Sequence, residues 1–102
     1  MPKVCREGDP LSTGHLCDTT STLDTPGQST VRANGILIAR YDDNTVSHDI
    51  LSGIVCVPHV ASISGSSSTV RVSGQFVARV GDAVDAGELT DGSSNVFVGW
   101  SL

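Results

Sequence analysis

The protein has 102 residues, with one Trp, one Tyr and two Phe, and carries a formal net charge of −5 at pH 7. This length suits a single domain over residues 1–102, and so few large apolar side chains predict that a metal, a disulfide or a partner must supplement the core. The negative charge, without any run of Lys or Arg, argues against nucleic acid as a partner. Three cysteines cannot all pair within one chain, and residues 1–10 do not resemble a signal peptide, so folding in a reducing cytoplasm is expected.

The first predicted element is a strand over residues 4–9, VCREGD, which is similar to residues 77–82, VARVGD, further along the chain. Residues 10–28 follow, and their content of Gly, Pro, Ser, Thr and Asp predicts a loop. This loop contains His15 and Cys17.

A repeated unit occupies the centre of the chain. Residues 29–43 read STVRANGILIARYDD and residues 68–82 read STVRVSGQFVARVGD, with eight identities in fifteen positions and no gap. Each copy predicts a β-hairpin, because Asn34-Gly35 and Ser73-Gly74 supply the positive φ angles of a two-residue turn between β-forming segments. Strand alternation then predicts one apolar face, directed at the core. In the second strands this face comprises Leu37, Ala39 and Tyr41 of the first copy and Phe76, Ala78 and Val80 of the second.

Two further stretches, residues 44–64 and 83–91, are predicted to be loops by the same composition. Residues 92–98 are similar to residues 65–72, the first strand of the repeat, once a one-residue gap is allowed. If this end of the chain pairs with residues 4–9, it completes a third hairpin and removes a sheet edge. The sequence therefore predicts a small all-β domain of three hairpins around a pseudo-threefold axis, with long loops.

Four side chains in the two long loops are candidate ligands of a structural metal ion. His15, His48, Cys56 and His59 supply three imidazoles and one thiolate, a tetrahedral set that suits zinc and is compatible with iron. Cys56 and His59 form a C-x2-H pair, which is short enough in sequence for both side chains to reach one ion. Four protein ligands leave no position for water, so a structural ion is predicted, and replacing Cys56 by Ser is expected to release it.

The other two cysteines are predicted to lie outside this set. Cys17 is two residues from His15 and is an alternative ligand, but the four residues above already complete a shell, so little effect is expected from its replacement. Cys5 aligns with Ala39 and Ala78 of the repeat. We expect Cys5 to be a buried free thiol that acts as a small apolar side chain near the axis.

The repeat and the ligand pattern together resemble the PAAR-repeat family. Repeats of that family begin with Gly-Ser and continue as V-x-V-x-G-x-x-x-A-R-x-G-D, as residues 65–82 do here. Gly8-Asp9-Pro10 followed by His15, and Cys56 with His59, are similar to two further features of the family. The likeness covers essentially the whole chain. It departs from the family pattern at Ile38 and Val77, which replace a proline, and at Asp42, which replaces a glycine.

The resemblance implies a cone of β-hairpins that caps the blunt end of a trimeric β-helical spike in a contractile injection machine. It also implies a zinc ion near the point, held by three histidines and one cysteine. One monomer would cap each trimer, because its pseudo-threefold base can meet three identical chains. The expected function is a non-enzymatic tip of a phage tail, made in the host cytoplasm and carried in the virion, that pierces the outer membrane of the target cell.

Two other functions fit parts of the pattern. A type VI secretion tip would share the fold and would be made in the bacterial cytoplasm and secreted by that system; the lack of a toxin segment after Leu102 favours the phage tail. A zinc hydrolase would need an open coordination position and a nearby general base. Neither Glu7 nor Glu88 is beside a candidate ligand in the sequence, so an enzyme is not expected.

Overall fold

The computed structural model describes residues 2–67 and 69–99, where it forms ten short strands and no helix. The strands are β1 (Pro10–Ser12), β2 (Thr20–Thr22), β3 (Arg32–Ala33), β4 (Ile36–Leu37), β5 (His48–Ser52), β6 (Val55–His59), β7 (Arg71–Val72), β8 (Gln75–Phe76), β9 (Ala83–Val84) and β10 (Gly87–Glu88). The all-β prediction is confirmed for this part of the chain, which also contains no helix long and apolar enough to cross a membrane. Ser68, at the start of the second repeat, and Leu102 lie outside the described residues.

Successive strands pair as five antiparallel hairpins. The two predicted turns are confirmed: Asn34 and Gly35 have φ angles of 55° and 78°, and Ser73 and Gly74 have φ angles of 50° and 87°. Two successive positive φ angles match the right-handed twist of the flanking strands, which is why Asn-Gly and Ser-Gly occur at these positions.

The three stretches that were predicted to be loops contain strands, so this part of the prediction is wrong. Residues 10–28 include β1 and β2, residues 44–64 include β5 and β6, and residues 83–91 include β9 and β10. Polar composition was a poor guide here because these strands are short and largely exposed, so they need few apolar residues. Their backbone groups pair with one another despite this composition.

Three backbone hydrogen bonds form a closed ring at the centre of the molecule. The N–H of Cys5 donates to the carbonyl of Ala78, that of Ala78 to Ala39, and that of Ala39 to Cys5, each at 3.0 Å. We call these three residues the central ring. All three are fully or almost fully buried, and their small side chains allow three backbone segments to meet at one place.

The two ends of the chain pair with each other, as the sequence predicted. Lys3 forms a β-bridge with Phe97, and the N–H of Val4 donates to the carbonyl of Val96 at 2.9 Å. The same bond is made inside each repeat, from Ile38 to Val31 at 3.1 Å and from Val77 to Val70 at 2.9 Å. The terminal segments therefore reproduce a contact that both internal hairpins make.

Apolar side chains form two clusters, one on each face of the segments that carry the central ring. The first cluster contains Cys5, Leu11, Leu23, Ala39, Ile63, Ala78, Val84 and Leu89. The second contains Val4, Ala33, Ile38, Val72 and Val77. Neighbours in sequence, such as Val77 and Ala78, belong to different clusters because adjacent side chains of an extended segment point to opposite faces.

The predicted core face of the repeat is correct only in part. Ala39 and Ala78 are buried, but Tyr41 is 41% exposed. Ile38 and Val77, on the opposite face, are also buried. A segment with an apolar cluster on both faces does not follow the simple alternation of a half-exposed strand, so alternation alone could not identify its core residues.

Each repeat-related segment ends in an arginine that pairs with an aspartate three residues later. The pairs are Arg6–Asp9, Arg40–Asp43 and Arg79–Asp82, and in each the backbone N–H of the arginine also donates to the aspartate, at 2.7–2.8 Å. The guanidinium groups then extend to a neighbouring hairpin. Their acceptors are Oδ1 of Asn34 for Arg6, the carbonyls of Val72 and Ser73 for Arg40, and the carbonyl of Gly99 for Arg79.

Candidate metal centre

Three histidine side chains converge on one carboxylate. Nε2 of His15 lies 2.6 Å from Oδ1 of Asp85, Nε2 of His48 lies 2.8 Å from Oδ2, and Nε2 of His59 lies 3.3 Å from Oδ1. The His59 ring meets the other two edge-to-face, with centroid distances of 5.6 Å to His15 and 5.3 Å to His48. We call these four residues the histidine cluster. The structure thus brings together the three predicted histidines and adds Asp85, which the sequence analysis missed.

The register of one hairpin places His48 and His59 side by side. β5 and β6 are joined by a turn at Gly53 and Ile54, and His48 is directly opposite His59 in the resulting ladder. Directly opposite residues in an antiparallel pair have neighbouring side chains on the same face. This pairing could have been predicted from the sequence by placing a two-residue turn at Gly53 and Ile54, because His48 and His59 are equally distant from that turn.

Close backbone contacts place Asp85 and His15 against this pair. The turn between β9 and β10 packs on residues 12–14, where the N–H of Ala86 donates to the carbonyl of Thr13 at 3.0 Å. Gly14, with a φ of 73°, permits this approach, because a Cβ there would collide with the backbone of Ala86. The hydroxyl of Thr13 accepts a bond from the N–H of His15 at 3.1 Å. The turn around Asp85 and the backbone of His15 are therefore fixed to the same short segment.

Asp85 and His48 are the two most buried side chains of the cluster. The side chain of Asp85 is 6% exposed and that of His48 is 3% exposed, whereas the side chains of His15 and His59 are 29% and 32% exposed. Burial alone would raise the pKa of Asp85. The hydrogen bonds with His48 and His15, with smaller contributions from the charge of His15 and the hydrogen bond with His59, have a larger opposite effect. The pKa of Asp85 therefore lies below its usual range. Asp85 and His48 thus form the buried side of the cluster, and His15 and His59 form its more exposed side.

Cys56 does not join the cluster, and its assignment as the fourth ligand is corrected here. Its sulfur is bonded to that of Cys17, with a Cα–Cα distance of 6.1 Å, and a disulfide sulfur is not a thiolate ligand. A C-x2-H spacing brings two ligands to one ion when it lies in a turn, but Cys56 and His59 both belong to the strand β6. In a strand, residues three apart point to opposite faces and are separated by about 10 Å.

The disulfide crosslinks the outer part of the β5–β6 hairpin. Cys17 forms a β-bridge with Ile50 of β5, and Cys56 is opposite Leu51, the next residue of β5. The bond therefore joins the two segments that flank β5. Cys17, expected to have no role, is half of this crosslink, while Cys5 is a buried free thiol as predicted.

Three members of the cluster, without His48, lie close enough together to hold a metal ion. One atom each from His15, His59 and Asp85 lies within 4.8 Å of the other two, close enough for a single ion to bind all three. Imidazole and carboxylate together suit several divalent transition metals, zinc among them.

No protein-family model matches the chain, and no curated protein is significantly similar to it. Function is therefore inferred from the residues and their geometry.

Proposed function

We propose that the protein is the tip of a contractile injection machine, most simply a phage tail. One chain caps the blunt end of a trimeric β-helical spike and presents the histidine cluster, with a structural zinc, at the opposite end. The protein is made in the host cytoplasm, is carried in the virion and takes part in piercing the outer membrane of the target cell. It acts mechanically and performs no catalysis.

The central ring is the observation that carries this proposal. Cys5, Ala39 and Ala78 occupy equivalent positions in three related segments, and each makes the same hydrogen bond to the next. The bridges beside the ring follow the same order, between Val4 and Arg79, Arg6 and Ile38, and Arg40 and Val77. A single chain with three related faces can make near-equivalent contacts with three identical chains, which is the requirement for capping a trimer.

Apolar side chains near the hairpin ends supply a surface for such docking. Val31 and Val70, which are equivalent in the repeat, are 38% and 37% exposed, and Phe97 near the end of the third segment is 44% exposed. All three belong to the hairpin segments whose buried residues form the second apolar cluster. The histidine cluster, in contrast, is attached to the first cluster through β1, β9 and β10. This division supports the proposal that docking and metal binding occur at separate ends of the molecule.

The stability needed at a tip comes from crosslinks more than from apolar packing. The chain has few large apolar side chains, and the β5–β6 hairpin is mostly exposed. The Cys17–Cys56 disulfide and a metal in the histidine cluster would fix this hairpin at two places. A point held in this way can transmit force without unfolding locally.

Light scattering of mixtures with a trimeric β-helical spike fragment from the same genome tests the proposal. We expect a monomer alone and a complex of one chain per trimer. The double variant Val31→Glu and Val70→Glu is expected to abolish the complex, because it places charge on the docking surface, whereas Asp49→Asn should leave it unchanged. A stable homotrimer in isolation, or three chains per spike trimer, would contradict capping.

A further inference from the structure

We propose that His15, His48, His59 and Asp85 form a complete four-ligand site for a divalent transition metal, with three imidazole nitrogens and one carboxylate oxygen. The disulfide between Cys17 and Cys56 stays intact beside this site and supplies no ligand. This inference deepens the proposed function, because it specifies the metal centre that stabilises the proposed tip.

The hydrogen bonds of His48 leave its Nε2 atom available as a metal ligand. Nδ1 of His48 lies 3.0 Å from the carbonyl oxygen of Val46, and a carbonyl only accepts, so Nδ1 carries a hydrogen. In a neutral imidazole Nε2 then has only a lone pair, yet it lies 2.8 Å from the carboxylate oxygen Oδ2 of Asp85. Either a proton or a metal ion between these two atoms satisfies both lone pairs.

A metal ion would bind this nitrogen together with the other two imidazoles, which converge on the same carboxylate. A metal-bound histidine generally donates its second ring N–H to a carbonyl or carboxylate, which fixes the tautomer and the ring orientation, as Val46 does for His48. His15 and His59 direct their Nε2 atoms at the other oxygen of the same carboxylate. Three nitrogens and a carboxylate that converge from four separate segments make the donor set of a tetrahedral site.

The geometry of β6 keeps the sulfur atoms out of this shell. His59 and Val57 share one face of the strand, and Cys56 is on the other, where it reaches Cys17. Reduction of the disulfide would free a thiolate without turning the strand over. The site therefore lacks the soft thiolate ligand and has a harder donor set than three histidines with a cysteine would give.

Cobalt(II) titration of the oxidised protein distinguishes the two ligand sets, because a thiolate bound to cobalt produces an intense near-ultraviolet charge-transfer band and a carboxylate does not. We expect one cobalt per chain, a tetrahedral d–d spectrum and no charge-transfer band, both before and after reduction of the disulfide. A charge-transfer band, or binding of cobalt only after reduction, would overturn the proposal. So would an oxidised protein that binds neither cobalt nor zinc.

Variants identify the fourth ligand independently of the spectrum. Asp85→Asn should weaken zinc binding by about tenfold or more, whereas the double variant Cys17→Ser and Cys56→Ser should retain affinity to within a few fold. Asp49→Asn is the control, because Asp49 is an exposed aspartate on the β5–β6 hairpin that carries His48 and His59. Loss of zinc from the double cysteine variant with retention by Asp85→Asn contradicts the assignment.

The spike-binding stoichiometry of the same variants separates this inference from the proposed function. If the wild-type chain caps the trimer but its cobalt spectrum contains a thiolate band, the ligand assignment fails and the function stands. If the chain binds cobalt through nitrogen and carboxylate but does not bind the spike, the function fails and the metal site stands.

Discussion

Arg40 and Asp43 form a buried ion pair in which one carboxylate oxygen accepts two bonds from the same arginine. Oδ2 of Asp43 lies 2.8 Å from the backbone nitrogen of Arg40 and 3.2 Å from its Nε, and each residue is 8% exposed. Removing one charge of a buried pair leaves the other without compensation. We expect Asp43→Asn to lower the free energy of unfolding by about 3 kcal/mol, as measured by urea denaturation.

An exposed ion pair in the same protein provides the control for this measurement. Nζ of Lys3 lies 3.3 Å from Oδ1 of Asp91, and both side chains are largely exposed, at 44% and 60%. Pairs in contact with water contribute little to stability. Asp91→Asn should therefore leave the urea midpoint unchanged, and a loss equal to that of Asp43→Asn would show that burial is not the cause.

Gly14→Ala should disturb the histidine cluster although Gly14 is not a ligand. Alanine at a positive φ costs about 1 kcal/mol, and its Cβ would also collide with the backbone of Ala86 and push away the turn that carries Asp85. Gly53→Ala is the matched control, because Gly53 has a similar φ of 65° but open space around it. We expect both variants to lose stability and only Gly14→Ala to lose zinc affinity, measured by titration with a competing chelator.

Replacing Cys17 or Cys56 by Ser should lower stability by the same amount. The disulfide closes a loop with a sequence separation of 39 residues, for which loop-closure entropy gives about 4 kcal/mol. Denaturation with and without a reductant measures this effect. A reductant should lower the wild-type midpoint to that of either variant and leave the variants unaffected, whereas unequal effects of the two substitutions would indicate a separate role for one sulfur.

Cys5 should be unreactive in the native protein. Burial raises the pKa of its thiol far above the usual range, with a smaller contribution from the charge of Asp9, so almost no thiolate forms near neutral pH. With the disulfide intact, we expect iodoacetamide to label no cysteine of the native chain and one after unfolding in urea, as counted by mass spectrometry. Rapid labelling of the native chain would show that the central ring opens readily.

Larger side chains should not fit at the central ring. Cys5→Leu adds volume where three backbone segments meet, and overpacking of this kind typically costs about 1–3 kcal/mol. Cys5→Ala keeps a small side chain and should cost less. The half-exposed Val60→Leu should have almost no effect on the urea midpoint.

The hairpin turns and the pairing of the two chain ends could be predicted from the sequence because they depend on local signals. Asn34-Gly35 specifies its turn through positive φ angles, and the repeat predicts that its third copy is completed by the termini. The strands in the presumed loops were missed because their pairing is local and exposed, and no apolar alternation distinguishes them from loops.

The histidine cluster could be predicted only in part, because its fourth member depends on tertiary contact. His15, His48 and His59 were identified by residue type, but Asp85 is an aspartate in a turn, like many others. It reaches the histidines only because Gly14 allows the Ala86 backbone to approach. Cys56 was misassigned because sequence spacing does not distinguish a strand from a turn, and this difference decides which way the sulfur points.

The order of synthesis allows the central ring to close only after most of the chain has been made. A ribosome that adds about 5–20 residues per second produces the segments around Cys5 and Ala39 seconds before the segment around Ala78. During this interval the segments around Cys5 and Ala39 have backbone groups without partners, because the segment around Ala78 that will bond to them has not yet been made. A segment from a neighbouring nascent chain could bond there equally well, so dense polysomes should favour strand-exchanged oligomers, and slower initiation should favour the monomer.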